Sequence, residues 1–221
     1  MIVRKHMTPA PVTILPTASV EDALHLMREK KIRHLPVLDF DERLVGFVSD
    51  YDLAHVTPSP LASLSIQDML YHLSRLKIQE IMVRDIVTID ADAPLEEAAG
   101  LMVDHKVSAL PVLSQGRLVG IITETDIFQM FLEMLDTPLP VVRLTLLIPN
   151  QKGQIAALCR RIAAVGGNIT SLGQFEGPTP AERMLIVKVA EVPAEQLRQF
   201  VAECGFTLRD LREEQPARPR P

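Results

Sequence analysis

The chain has 221 residues, a formal net charge of −5 at pH 7, and aromatic residues at only 4% of its positions. This acidic balance and the scarcity of aromatic side chains argue against a basic surface that stacks nucleic-acid bases, so we expect no nucleic-acid partner. The sequence contains neither an 18-residue apolar run nor an apolar leader core, and we therefore expect a cytoplasmic protein without membrane contact.

The first part of the chain contains two copies of one pattern. The stretch Met7–Asp52 aligns with the stretch Met82–Asp126 when one gap is allowed, and both contain Leu-Pro-Val-Leu followed by Leu-Val-Gly. Each copy alternates strand and amphipathic-helix patterns in the order β-α-β-β-α. A copy of this size is small for an independent core, so we expect the two to pack together as a pseudo-twofold pair.

A third pattern follows the two copies. After a Thr-Pro-Leu-Pro linker, strand and helix periodicities alternate in the order β-α-β-β-α-β, so the sequence predicts a mixed α+β protein. The Pro- and Arg-rich end predicts a disordered tail. The predicted units are repeat 1 (1–60), a connecting helix (61–78), repeat 2 (79–136), a linker (137–140), the third unit (141–213) and the tail (214–221).

In both copies the last predicted strand ends in the same short motif. The motif contains a glycine, two apolar residues, a hydroxyl residue and, three positions later, an acid. The stretches are Gly-Phe-Val-Ser-Asp-Tyr-Asp, ending at Asp52, and Gly-Ile-Ile-Thr-Glu-Thr-Asp, ending at Asp126. The Ser/Thr-x-x-Asp spacing is that of a capping box, which satisfies free amides at a helix start. The same arrangement suits a ribose with an attached phosphate, because the amides attract an anion and the carboxylate accepts hydrogen bonds from vicinal hydroxyls. Both roles are open for the two acids.

The paired Leu-Pro-Val strands, each followed by the glycine-hydroxyl-acid stretch, resemble cystathionine-β-synthase (CBS) repeats, two of which form a Bateman module. The resemblance implies two clefts for adenosine compounds such as AMP, ADP, ATP or S-adenosylmethionine, each made from the acid of one copy and the first strand of the other. The implied contacts of the first cleft are Ser49, Asp52, Arg33, His34, Ile86, Val87 and Thr88. Those of the second cleft are Thr123, Asp126, Ser108, Pro11, Val12 and Thr13.

The resemblance also implies that the two clefts differ in charge. Arg33 and His34 stand where the family places phosphate contacts, whereas the second copy has Ser108 and an alanine there. We therefore expect the first cleft to be the better phosphate site. Lys31 and Lys106 occupy equivalent positions, and we expect both at the surface.

The third unit resembles an ACT domain, a regulatory fold of the ferredoxin-like βαββαβ type that often binds an amino acid at a dimer interface. The residues that carry this resemblance are Asn150 and Gly153 in one loop and Asn168 at the start of the second strand. Asn168 after Gly-Gly also suits the backbone angles of a helix exit. The order CBS-CBS-ACT is similar to the acetoin-utilisation regulator type of bacterial protein.

Enzyme motifs are missing from the sequence. It has no phosphate-binding glycine loop and no nucleophile elbow, its six histidines lack ligand spacing, and its two cysteines are far apart. We therefore predict a non-catalytic regulator without metal or cofactor, whose ligands are an adenosine nucleotide and, in the ACT domain, an amino acid. The alternatives are a dimerisation scaffold with empty clefts and, third, an unrecognised enzyme. The resemblance further implies a homodimer through the CBS pairs and ACT domains, acting on an unknown protein target.

Overall fold

The structure, a computed structural model, describes residues 1–56, 74–135 and 137–216. The chain divides into two compact units, Met1–Met130 and Phe131–Pro221. Most of the predicted connecting helix and of the predicted tail lie outside the described residues.

The helices and strands of the two repeats follow the duplicated pattern. In chain order they are a 3-10 turn (Val3–Lys5), β1 (Thr8–Pro9), α1 (Val20–Lys30), β2 (His34–Leu38), β3 (Leu44–Ser49), α2 (Asp50–Val56), α3 (Ile78–Ile81), β4 (Ile89–Asp90), α4 (Leu95–His105), β5 (Ala109–Ser114), β6 (Arg117–Thr123) and α5 (Glu124–Leu135). Strands β2 and β3 form one antiparallel sheet, and a second sheet has the order β1-β6-β5-β4. The predicted first strand of repeat 1 is reduced to a bridge between Ile14 and Val37.

The two repeats exchange their N-terminal segments. Strand β1 pairs with β6 of the other repeat, and Val83 forms the equivalent bridge to Phe47. Val3 packs in the core of repeat 2, and Ile78 packs in the core of repeat 1. Each core is therefore completed by apolar residues from the other copy, as expected for repeats too small to close a core alone.

Contacts between methionine and glycine fix this exchange in both copies. Met82 lies on the backbone of Gly46, and Met7 lies on the backbone of Gly120. Both glycines are buried, and a Cβ at either position would overlap the methionine sulfur. The glycine of each repeated stretch is thus required by a close approach of the other repeat's N-terminal segment.

The second unit has the predicted βαββαβ order. Its elements are β7 (Val141–Pro149), α6 (Gln154–Ala164), β8 (Asn168–Glu176), β9 (Glu182–Ala190), α7 (Ala194–Glu203) and β10 (Thr207–Glu214). The sheet is antiparallel with the order β10-β7-β9-β8, which is the ferredoxin-like arrangement. Both helices contribute fully buried residues, among them Leu158 and Leu197, to the core that covers the sheet.

Candidate functional site

Both repeated stretches form capping boxes. Asp52 Oδ2 accepts hydrogen bonds from the amide and the hydroxyl of Ser49, at 2.8 and 2.6 Å, and the Asp52 amide donates back to Ser49 Oγ at 3.2 Å. Thr123 and Asp126 repeat this geometry at 2.8, 2.7 and 3.4 Å. The same oxygen takes both bonds in each case, so Asp52 Oδ1 accepts no hydrogen bond from any residue that the structure describes. Capping therefore uses only half of each carboxylate.

A cleft of about 660 Å³ opens beside the first capping box, and we call it the Asp52 cleft. It lies between the two repeats of the first unit. Its described lining residues are His34, Phe47, Ser49, Tyr51, Asp52, Val83, Asp85, Ile86, Val87, Lys106, Val107, Ser108, Ala109, Pro111 and Glu124. The structure thus brings the hydroxyl and acid of repeat 1 together with the N-terminal segment of repeat 2.

The pseudo-twofold equivalent is smaller, at about 270 Å³, and we call it the Arg33 cleft. Its described lining residues are Thr8, Ala10, Pro11, Val12, Lys31, Ile32, Arg33, His34, Ile121, Thr123 and Thr125. Of the residues expected for the second cleft, Thr123, Pro11 and Val12 line it. Asp126 and Thr13 are not among its described lining residues.

Arg33 and Ser108 lie in the opposite clefts from those expected. Arg33 lines the cleft that contains Thr123, and Ser108 lines the cleft that contains Asp52. The physical reason is strand pairing: β4 runs parallel to β5, with Ile89 opposite Val112, so the start of β5 accompanies the N-terminal segment of its own repeat. The start of β5 and the N-terminal segment of repeat 2 therefore both face the capping box of repeat 1. Thr88 is not among the described lining residues of the Asp52 cleft.

His34 lies where the two clefts meet and lines both of them. Its Nε2 is hydrogen bonded to Ser108 Oγ at 2.9 Å, and its ring stacks on Phe47 with centroids 5.9 Å apart. Burial lowers the pKa of His34 below its ordinary value of 6.5, against an opposing effect of Asp50. A neutral imidazole therefore links the two repeats at the pseudo-twofold.

The distribution of charge between the clefts is the reverse of the one expected. The Arg33 cleft has two cationic residues, Lys31 and Arg33, and no carboxylate among its described lining. The Asp52 cleft has Lys106, together with Asp52 and two further carboxylates. Lys31 and Lys106 are exposed, as expected, and each also lines a cleft. Both end a helix in the left-handed conformation, with φ of 54° and 55°, and this helix end carries the chain to the cleft.

Asn150 and Asn168 of the second unit are far apart within one chain. Pro149, next to Asn150, pairs with Glu182 at the start of β9, whereas Asn168 pairs with Ala190 at its end. Opposite ends of a nine-residue strand are on the order of 25 Å apart. The Asn150 side chain is engaged by the carbonyl of Pro180 at 3.0 Å. An amino-acid site that uses both asparagines, together with Gly153, would therefore need a second copy of the chain.

The described residues, 1–56, 74–135 and 137–216, show neither a metal site nor a membrane-spanning helix. They contain no cluster of three side chains suited to holding a metal ion. None of their helices is long and apolar enough to cross a bilayer.

Comparisons with known proteins assign the first unit. The CBS domain family model matches twice, at residues 3–58 and 78–133. A CBS domain-containing protein of Dictyostelium discoideum is 35% identical over 141 residues, which cover 63% of this chain and 97% of that protein. A solved structure of a putative acetoin utilization protein (AcuB) from Vibrio cholerae has 33% identity and a TM-score of 0.51, and the match covers 61% of this chain and 93% of that one. The structure of CBSX2 from Arabidopsis thaliana in complex with AMP has 33% identity and a TM-score of 0.50, with 61% and 98% covered.

Several of the similar proteins are enzymes that the match covers over less than a quarter of their length. A homoserine O-acetyltransferase of Methanohalobium evestigatum is 35% identical over 122 residues, and this chain spans 22% of that enzyme. Such a match concerns the CBS region and carries no acetyltransferase activity to this chain. Since the family model covers about half of the chain in two copies that fold as an interlocked pair, the chain belongs to the CBS domain family.

Proposed function

We propose that the CBS pair is a non-catalytic sensor of an adenosine ligand, and that the Asp52 cleft is its binding site. The observation that carries the proposal is the divided use of the Asp52 carboxylate. Oδ2 holds the helix start, and Oδ1 remains without a hydrogen bond from the described residues in a residue that lines the cleft. An unengaged carboxylate oxygen in a cleft is an acceptor for ribose hydroxyls.

The other walls of the cleft suit the rest of such a ligand. Val83, Ile86 and Pro111 are apolar surfaces for a flat base, and Lys106 is a cation for a phosphate group. A volume of about 660 Å³ lies within the usual range of roughly 300–1,000 Å³ for small-molecule sites. The AMP complex of the similar protein CBSX2 supports the same ligand class.

Thermal shift and calorimetric titration with AMP, ADP, ATP and S-adenosylmethionine test the proposal. A ligand at a hundred times its Kd stabilises the folded chain by about 2.7 kcal/mol, which moves the unfolding transition of the first unit measurably. Asp52→Ala should abolish this shift. The variant also loses a cap worth about 1 kcal/mol, so a control with the same cap loss is needed.

Asp22→Ala is that control. Asp22 closes the same capping box with Ser19, at 2.9, 2.6 and 3.1 Å, but it is not among the described lining residues of either cleft. We expect this variant to unfold earlier than the wild type and to keep the full ligand shift. If the ligand-induced thermal shift is the same in Asp52→Ala and Asp22→Ala, Asp52 does not contact the ligand. A wild-type chain that none of the four ligands stabilises would be a scaffold instead of a sensor.

A further inference from the structure

Equivalent positions of the two repeats line the two clefts, so the clefts can be compared residue by residue. Lys106 of the Asp52 cleft corresponds to Lys31 of the Arg33 cleft. Asp85 of the Asp52 cleft corresponds to Ala10 of the Arg33 cleft. Ser108 in turn corresponds to Arg33. At two of these three positions the Asp52 cleft is therefore more negative than its counterpart.

A third difference lies at the helix that faces the cleft from repeat 2. Glu124 is the first residue of α5 and lines the Asp52 cleft, whereas its equivalent, Asp50, is not among the described lining residues of the Arg33 cleft. The Asp52 cleft consequently holds one ammonium group, from Lys106, and two carboxylates besides Asp52. Lys106 can form an ion pair with one phosphate group, but a second or third phosphate would lie near the carboxylates of Asp85 and Glu124 and be repelled by them.

We infer that the Asp52 cleft prefers adenosine ligands that carry at most one phosphate group, and that Asp85 and Glu124 weaken the binding of di- and triphosphates. The inference rests on the proposed function, because it specifies the ligand of the same cleft. It assigns a specificity role to two exposed carboxylates that neither cap a helix through a capping box nor form an ion pair within the described residues.

The test is calorimetric titration of the full chain with adenosine, AMP, ADP and ATP in a magnesium-free buffer of low ionic strength. Binding to the Asp52 cleft is identified as the component that Asp52→Ala removes. In the wild type we expect the Kd of ATP to exceed that of AMP at this site. Asp85→Asn and Glu124→Gln should each lower the ratio of the ATP Kd to the AMP Kd by about two- to fivefold. This is the change in affinity that a single exposed charge usually causes. Added salt should lower the ratio as well.

Glu96→Gln is the matched control for Glu124→Gln. Glu96 is also an exposed acid in the first turn of a helix, and it is not among the described lining residues of either cleft, so its loss changes the net charge and the helix start equally. We expect the ratio to remain at the wild-type value. Lys106→Gln should weaken AMP and leave adenosine unchanged.

Two outcomes distinguish a failure of the inference from a failure of the proposed function. If AMP and ATP bind the Asp52 cleft equally, or if neither carboxylate variant changes the ratio, charge selection is refuted while the adenosine site stands. If Asp52→Ala removes no binding component for any of these four ligands and leaves the thermal shift with S-adenosylmethionine unchanged, the proposed function and the inference both fail.

Discussion

Gly46→Ala tests the interlocking of the repeats. A Cβ at this position would overlap Met82 Sδ and would lie 2.8 Å from Met82 Cγ, whereas carbon atoms in favourable contact are about 3.5–4.0 Å apart. Met82 is 8% exposed and belongs to the core of repeat 1, so it can relieve the overlap only by displacing its neighbours. Overpacking of this kind costs about 1–3 kcal/mol of stability.

A double-mutant cycle separates this overlap from other effects of the substitution. Met82→Ala alone should destabilise the chain by about 2–5 kcal/mol, because it empties a buried side-chain site. In that background the overlaps with Sδ and Cγ are gone and only the Cβ of residue 82, at 3.1 Å, stays close to the added Cβ, so most of the cost of Gly46→Ala should disappear. The expected coupling between the two substitutions is therefore about 1–3 kcal/mol.

Urea unfolding of the full chain and the variants measures the cycle. Gly100→Ala is the control, because Gly100 lies in the exposed middle of α4 with no atom within 4 Å of its Cβ position, and alanine there should add about 0.5–1 kcal/mol to stability. If Gly46→Ala costs the same with and without the methionine side chain, the close approach of the exchanged segment is not the reason for the glycine.

His34→Gln and Gly167→Ala address two other parts of the molecule. Burial lowers the pKa of His34, so its contribution to stability is present above the unfolded value of about 6.5 and is lost as the pH falls through the lower folded value. The free energy of unfolding, measured between pH 5 and 7.5, should therefore rise less steeply with pH in His34→Gln than in the wild type. It should keep the wild-type slope in His105→Gln, because His105 is exposed. An unchanged slope in both variants would contradict the assignment. Gly167→Ala would place a Cβ 2.7 Å from Ile162 Cγ2 and 2.9 Å from Val189 Cγ1, so we expect the second unit to lose about 1–3 kcal/mol, measured by the hydrogen exchange of its strand amides. Exchange at the wild-type rate would contradict that expectation.

Local signals in the sequence were sufficient for the helix starts and for the pairing of repeats. The Ser-x-x-Asp and Thr-x-x-Asp spacings predicted caps, and α2 and α5 begin directly after Ser49 and Thr123. The duplication predicted a paired domain, because each copy is too short to bury a core alone. The helix starts depend on residues that are close in sequence, and the pairing depends on the length of each copy. Both kinds of information can be read from one sequence.

The positions of Arg33 and Ser108 depended on information that an internal alignment does not contain. The alignment identifies the two residues as equivalent, but it does not say which capping box each one faces. That assignment follows from the parallel pairing of β4 with β5 and from the exchanged segments, which are long-range contacts. A strand-helix-strand connection in one sheet is usually parallel, and this rule applied within each repeat would have grouped residue 108 with residues 86–88.

Duplication allows the clefts to diverge without cost to the fold. The methionine-glycine contacts that join the two repeats, and the capping boxes within each repeat, have the same geometry in both copies. The positions that differ in charge, such as Asp85 against Ala10 and Ser108 against Arg33, line the clefts and lie outside the three apolar cores. Substitution at an exposed position usually changes stability by less than about 0.5 kcal/mol, yet one charge in a cleft changes which anion can enter it. Asp85 and Glu124, the carboxylates to which we assign charge selection, are therefore separate from the core residues, whereas Asp52 and Ser108 also hold the fold through hydrogen bonds to Ser49 and His34.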